Sequence, residues 1–156
     1  MRNKHDYYPT PEWCYKNLDI DWSQFKTAHE PGAGDGRIVT FLQNQGIETT
    51  YSEIQEDKDF FEWEGDVDLI FTNPPFSLAQ EFIEHSMMFA PTVIMLLRIN
   101  FLGSQKRYDF WQQFPPDGLC ILSKRPSFTG TGTDSIDYAW FIWSDIKKLH
   151  GLHWVK

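Results

Sequence analysis

The segment "DLIFTNPPFSLAQEF", residues 68 to 82, drives an apolar run straight into two prolines. Residues 67 to 72 ("VDLIFT") read as a core strand covered on both faces. Prolines carry no amide donor and stop a ladder. The tetrapeptide Asn73-Pro74-Pro75-Phe76 therefore ends that strand abruptly and stiffly. One reading is a helix start, with Asn73 as cap and Pro74 in the first turn. However, "SLAQ" (77 to 80) supplies a capping box of its own, Ser77 with Gln80 three residues on. That leaves Asn73 available for another task.

The chemistry of the tetrapeptide suggests the task. Two prolines lock the backbone and hold the Pro74 carbonyl in one direction, with no adjacent amide hydrogen to compete for it. The Asn73 side-chain carbonyl stands beside it. The pair offers one acceptor to each hydrogen of an exocyclic NH2 group, and Phe76 offers a flat face to the ring that bears it. An aromatic amine is a poor nucleophile because its lone pair is delocalised. Hydrogen bonds to both N–H groups favour a pyramidal nitrogen whose lone pair leaves the ring plane. A methyl sulfonium placed in line could then be attacked without a strong base, by orientation and fixed acceptors.

Outward from this segment, strands and helices alternate. "FKTAHEP" (25 to 31), "ETTYSEI" (48 to 54), "TVIMLLRINF" (92 to 101), "LCILS" (119 to 123) and "YAWFIWS" (138 to 144) read as strands. "TPEWCYKNL" (10 to 18) reads as a helix, with Thr10 as N-cap and Pro11 in the first turn. "RIVTFLQNQG" (37 to 46), closed by Gly46, "LAQEFIEHSMMF" (78 to 89) and "QKRYDFWQQF" (105 to 114) are further helices. The pattern predicts an α/β fold with a mainly parallel central sheet and helices on both faces. Only the loop "TGTGTD" parts the last two strands, so an antiparallel strand is expected at that edge.

"EPGAGDGR" (30 to 37) joins the first strand to a long helix. Its glycines allow a tight turn and close approach to a ligand. No Gly-Lys-Ser/Thr follows, which excludes a P-loop. A dinucleotide site fits poorly, because Arg37 stands where the third glycine would be and Glu30 would repel a pyrophosphate. Glu53 lies 21 residues after Gly32, close to the spacing of an acid that binds ribose hydroxyls. Glu30 and Glu53 suit S-adenosylmethionine, which carries a sulfonium, an ammonium and a ribose. A turn with no ligand is the plain alternative.

At 156 residues the chain is expected to form a single domain, spanning 1 to 156. The absence of any long apolar run or basic-apolar leader predicts no membrane segment and no signal peptide. Cys14 and Cys120 lie far apart without metal spacing, which predicts a reduced, cytoplasmic protein with neither metal nor disulfide. The formal charge is −8, all of it in residues 48 to 68, where nine acids face Lys58. Residues 98 to 125 are basic instead: Arg98, Lys106, Arg107, Lys124 and Arg125 against Asp109 and Asp117. These cations are candidate phosphate contacts, or simply a solvated face.

"EPGAGDG", the acid in "YSEI", "DFFEW" and "TNPPF", in this order, resemble the class I S-adenosylmethionine-dependent DNA amino-methyltransferases. The likeness is nearest to N6-adenine enzymes of the small phage Dam-like type, and "DYYPTPEW" is similar to their N-terminal cofactor motif. The resemblance spans roughly residues 6 to 144 and implies the Rossmann-like fold of that class. It implies that Thr10 and Pro11 line the methionine end of the cofactor, with Glu30, Pro31, Gly32 and Gly34 around its amino acid moiety. Glu53 would bind the ribose, and Asp59 and Phe60 the adenine. Asn73, Pro74 and Pro75 would hold the target amine, Asn73 also adjoining the cofactor. Phe76 and Phe128, the latter in "RPSF", would stack on the target base.

The chain departs from such enzymes in having no room for a separate target-recognition domain. Low sequence specificity is therefore expected, with the adenine flipped out or offered in a single strand. A dimer or a protein partner could supply the missing recognition. The alternatives are methylation of an RNA base or of a protein glutamine, and a non-catalytic module that binds cofactor or DNA.

Overall fold

The computed structural model describes residues 9–128 and 136–156; "TGTGTD" and the start of "DYYPTPEW" lie outside them. The six segments read as strands form strands: β1 (Thr27–Glu30), β2 (Glu48–Tyr51), β3 (Leu69–Thr72), β4 (Thr92–Arg98), β5 (Gly118–Leu122) and β6 (Tyr138–Trp143). A seventh, β7 (Gly151–Val155), was not expected. The sheet order is β2-β1-β3-β4-β6-β5-β7. Parallel pairing links β2, β1, β3 and β4, and also β5 to β7. The reversed strand expected towards that edge is β6, antiparallel to both β4 and β5.

Strand pleating divides the core into two layers, because alternate residues point to opposite faces. Leu69, Phe71, Ile94, Leu96, Tyr138 and Trp140 face Cys14 and Tyr15 of α1 (Trp13–Lys16) and Ile38 and Leu42 of α2 (Arg37–Asn44). Ile70, Val93, Met95, Leu97 and Phe141 face Phe82 and Ile83 of α3 (Ala79–Ser86) and Phe110 of α4 (Tyr108–Gln113). Phe71 stacks on Trp140 at 4.4 Å between ring centroids, and the Trp140 indole N–H donates to the Cys14 carbonyl at 2.7 Å. Burial pushes the Cys14 thiol up to about 12 and the Cys120 thiol to about 11, so both behave as apolar filler. No helix among the described residues is long and apolar enough to cross a membrane.

Two expected helix starts are corrected. Glu12, not Thr10, occupies the N-cap position of α1, and the Pro11 carbonyl accepts from the Cys14 N–H at 3.0 Å. Ser77 lies inside a 3-10 turn, Phe76–Leu78, and Leu78 stands at the N-cap of α3 without a side-chain cap bond. Proline geometry explains this: the Pro75 carbonyl accepts from the Leu78 N–H at 3.1 Å and starts the turn two residues early. The capping box inferred from "SLAQ" is therefore not formed.

His29, in the middle of β1, is fully buried between Thr50 and Ser52 on one side and the Trp63 ring, 3.8 Å away, on the other. Burial, and secondarily the charge of His85, lowers its pKa from the ordinary 6.5 to about 3. The unfolded chain takes up this proton near 6.5, whereas the folded chain refuses it until about 3. The stability His29 contributes is thus complete above 6.5 and drains away as pH falls toward 3, at up to ~1.4 kcal/mol per pH unit. Urea unfolding at pH 7 and pH 5 should differ by about 2 kcal/mol, and His29→Gln should remove that difference. An equal pH dependence in the variant would contradict the assignment.

Candidate active site

Chain connectivity opens a crevice at one place on the sheet. α2 follows β1 onto one face and α3 follows β3 onto the other, so the connections from these adjacent strands part above their carboxyl ends. In open α/β sheets ligands bind at such switch points. Glu30 ends β1 and Thr72 ends β3, and the Thr72 hydroxyl donates to the Glu30 carboxylate. Both side chains are almost completely buried. The two strand ends are thereby tied together beneath the glycine turn and Asn73.

The glycine turn spends its amide hydrogens inside the protein. Gly32 donates to Glu30 at 2.7 Å, Gly34 to Glu53 at 2.8 Å, and Ala33 to the Ser52 carbonyl at 2.9 Å. The Gly36 N–H goes to the Ala33 carbonyl at 2.8 Å. A phosphate would find these donors occupied and two buried carboxylates nearby. A cation would find those carboxylates already oriented by backbone donors. The turn is therefore no phosphate cradle, in keeping with the sequence argument against a dinucleotide. Gly34 and Gly36 take φ of +58° and +84°, where side chains are strained, which accounts for both glycines.

Beside the turn lies a narrow cleft walled by Pro31, Ile54, Phe60, Phe61, Pro75, Leu78 and Phe82, with Asp59 as its carboxylate. Its lining is mostly apolar and aromatic with one carboxylate, a composition that suits an aromatic ring bearing a polar group. Asp59 accepts from the Phe61 N–H at 2.9 Å, which fixes the carboxylate at the mouth of the slot. The structure brings Pro31, Asp59, Phe60 and Pro75 to one cleft, although the resemblance placed Pro31 around the amino acid moiety of the cofactor, Asp59 and Phe60 at its adenine, and Pro75 at the target amine. Ile54, Phe61, Leu78 and Phe82 were missed. Ile54 directly follows Glu53, and Leu78 and Phe82 stand four apart, one helical turn; those were the available signals.

Asn73 emerges from β3 into the same region. Its Nδ2 donates to the buried Thr10 hydroxyl at 3.1 Å, while its Oδ1, itself buried, accepts no hydrogen bond among the described residues. Arg37 reaches the Thr10 carbonyl with Nη1 at 3.1 Å and grips Asp35 with Nε and Nη2. That arrangement holds the Asp35 carboxyl below its ordinary range, although partial burial pulls the other way. Residues 10 and 11 are thereby laid between the glycine turn and the Asn-Pro-Pro segment. Among the described residues no N–H donates to the Pro74 carbonyl, whereas the Pro75 carbonyl serves the following turn. Both acceptors singled out in the sequence are without a donor among the described residues.

The predicted base-stacking rings meet around a third. Phe128 lies 5.0 Å from the Tyr138 ring and Phe76 lies 6.3 Å from it, so Tyr138 joins them. Tyr138 was read only as a strand residue. The basic residues are held in different ways. Arg98 packs over Phe76, Arg107 packs over Phe101 at 4.1 Å, and Arg125 pairs with Asp137 at 2.9 Å. Lys106 and Lys124 are exposed.

No protein-family profile and no curated protein matches the chain. Solved structures do. The chain is similar to a candidate RNA methyltransferase from Pyrococcus horikoshii, at 17% identity and a TM-score of 0.68, over 92% of this chain and 89% of that one. It is similar to a candidate class I S-adenosylmethionine-dependent methyltransferase from Listeria monocytogenes at 14% identity and 0.58, over 92% and 61%. A third likeness is to the modification subunit of a candidate type I restriction enzyme from Vibrio vulnificus, at 13% identity and 0.61, over 90% and 45%. The chain therefore has the Rossmann-like fold of the class I S-adenosylmethionine-dependent methyltransferases.

Proposed function

We propose that the chain transfers a methyl group from S-adenosyl-L-methionine to the exocyclic N6 amine of adenine in DNA. The observation that carries this reading is the Asn73 Oδ1 atom, a buried acceptor that, like the Pro74 carbonyl, has no donor among the described residues. Leaving a buried acceptor unsatisfied costs about 1–3 kcal/mol, so a donor is wanted there. An NH2 group supplies two, one for each oxygen.

The residues fit the cofactor on two observations. The slot with Asp59 matches an adenine ring and its amino group, and the oriented carboxylates of Glu30 and Glu53 match a cationic amino acid end and ribose hydroxyls. Pro31, Gly32 and Gly34 would shape the turn around it, and Thr10 and Pro11 would close the methionine end. When bound, S-adenosylmethionine supplies an electrophilic methyl carbon on its sulfonium. The protein's part is positional: Asn73 Oδ1 and the Pro74 carbonyl orient both N–H bonds, and Phe76 and Phe128 fix the base plane. Pro75 stiffens the loop, and the thiols, buried elsewhere, take no part.

Incubating the protein with labelled cofactor and DNA, RNA or glutamine-containing peptide tests this. The label should enter DNA; label confined to RNA or peptide would assign the site to another amine. Transfer should be of low sequence specificity, because no inserted domain interrupts the sheet within residues 9–128 and phosphate contacts carry no sequence information. It should also weaken as salt rises, since binding would rest on phosphate contacts from the basic stretch 98 to 125 in a chain of charge −8. A sharp motif of about four bases or more, read by the isolated protein, would show that its loops contact base edges. A dimer or basic partner is the route by which specificity could be added.

A further inference from the structure

Arg98 ends β4 directly opposite Tyr138 on β6, so the two side chains leave the same face of the sheet. Its Nε donates to the Tyr138 hydroxyl at 3.2 Å, and its guanidinium carbon lies 4.4 Å from the centre of the Phe76 ring. The group is half-buried, and its plane is held by a strand end, a hydrogen bond and an aromatic face. Its two Nη groups make no hydrogen bond and no ion pair among the described residues. Three other cations of the basic stretch differ. Arg125 is spent on Asp137, and Lys106 and Lys124 stand exposed on flexible stems.

A fixed guanidinium with two spare donors is prearranged for an oxyanion that accepts a fork. Beside the ring meant to stack on the target base, the oxyanion within reach is the phosphate of the same or the next nucleotide. Resting on the amine-site reading of Asn73 to Phe76, we infer that Arg98 clamps a phosphodiester flanking the target adenine. The recognised unit is then a nucleotide within a strand. A free base, or the amide of a protein side chain, lacks the group that Arg98 holds. Arg98 thereby selects the substrate class, and Tyr138 is its positioning residue.

The test is binding of a fluorescent single-stranded oligonucleotide with one adenine, scanned with single neutral methylphosphonates. Wild type should lose about tenfold in affinity when one particular phosphate next to the adenine is neutralised. Arg98→Met should bind the unmodified strand about tenfold less tightly and be indifferent to that replacement, with a salt slope lower by about one. Tyr138→Phe, which frees the Nε, should lose less but at the same phosphate. Equal losses in wild type and both variants at every position would overturn the inference. Since the readout is binding, it separates from the amine-site reading. Phosphate-specific binding without methyl transfer would sink that reading and leave the clamp standing. Transfer that is indifferent to Arg98→Met would do the opposite.

Discussion

Asn73→Ala is expected to lower methyl transfer by about 10²–10³ while leaving most cofactor affinity in place. The substitution removes one of two fixed acceptors at the reacting nitrogen, so the amine loses its orientation and its lone pair stays in the ring. It also removes the Nδ2 bond to Thr10, which braces the N-terminal segment at 3.1 Å. That second loss falls on stability, because the α3 turn is started by the Pro75 carbonyl and not by Asn73. Single-turnover transfer and calorimetric cofactor binding, measured on the same preparation, separate the two effects. An alanine variant that transfers at the normal rate would reduce the tetrapeptide to a strand end.

Gly34→Arg should abolish cofactor binding. Gly34 sits at φ +58°, and its N–H holds the Glu53 carboxylate at 2.8 Å. A side chain there costs about 1–2 kcal/mol in backbone strain. A guanidinium adds volume and a positive charge where the ligand must approach, beside the Glu30 and Glu53 carboxylates. Gly34→Ala carries the strain alone and should weaken binding far less. Circular dichroism would confirm that the sheet survives. Unchanged calorimetric affinity in a folded Gly34→Arg variant would sink the cofactor assignment.

The parts of the fold legible in the sequence are those whose signal is local. β3, β4 and β6 are buried almost throughout, so they appear as unbroken apolar runs. β7 shows the opposite case. Four of its five residues are exposed, and pairing with β5 holds it in place. Gly118 admits that pairing, because a Cβ there would lie 2.0 Å from the Leu149 carbonyl oxygen. The alternating Leu152 and Trp154 of β7 are exposed, so the period they make marks no core face. The helix caps failed for a related reason: Thr10 has a cap's chemistry, but a tertiary partner, Asn73, takes its hydroxyl.

The site divides along the same line. Glu30, the glycine turn and Asn73-Pro74-Pro75-Phe76 are contiguous chemistry, so their roles could be argued from residue types alone. The walls of the slot come from three separate segments, at Pro31, at 54 to 61 and at 75 to 82. Arg98 looked like one member of a basic stretch until the sheet placed it opposite Tyr138. The buried carboxylates were read from their charge, but their oriented state depends on donors that only folding supplies.

The most direct test is to treat unmethylated DNA with the protein and isotopically labelled cofactor, digest it to nucleosides and identify the labelled product by mass and retention. The account predicts N6-methyldeoxyadenosine with the wild-type chain and almost none with Asn73→Ala. Label on cytosine N4 or on a ring atom, or equal yields from the two proteins, would contradict it.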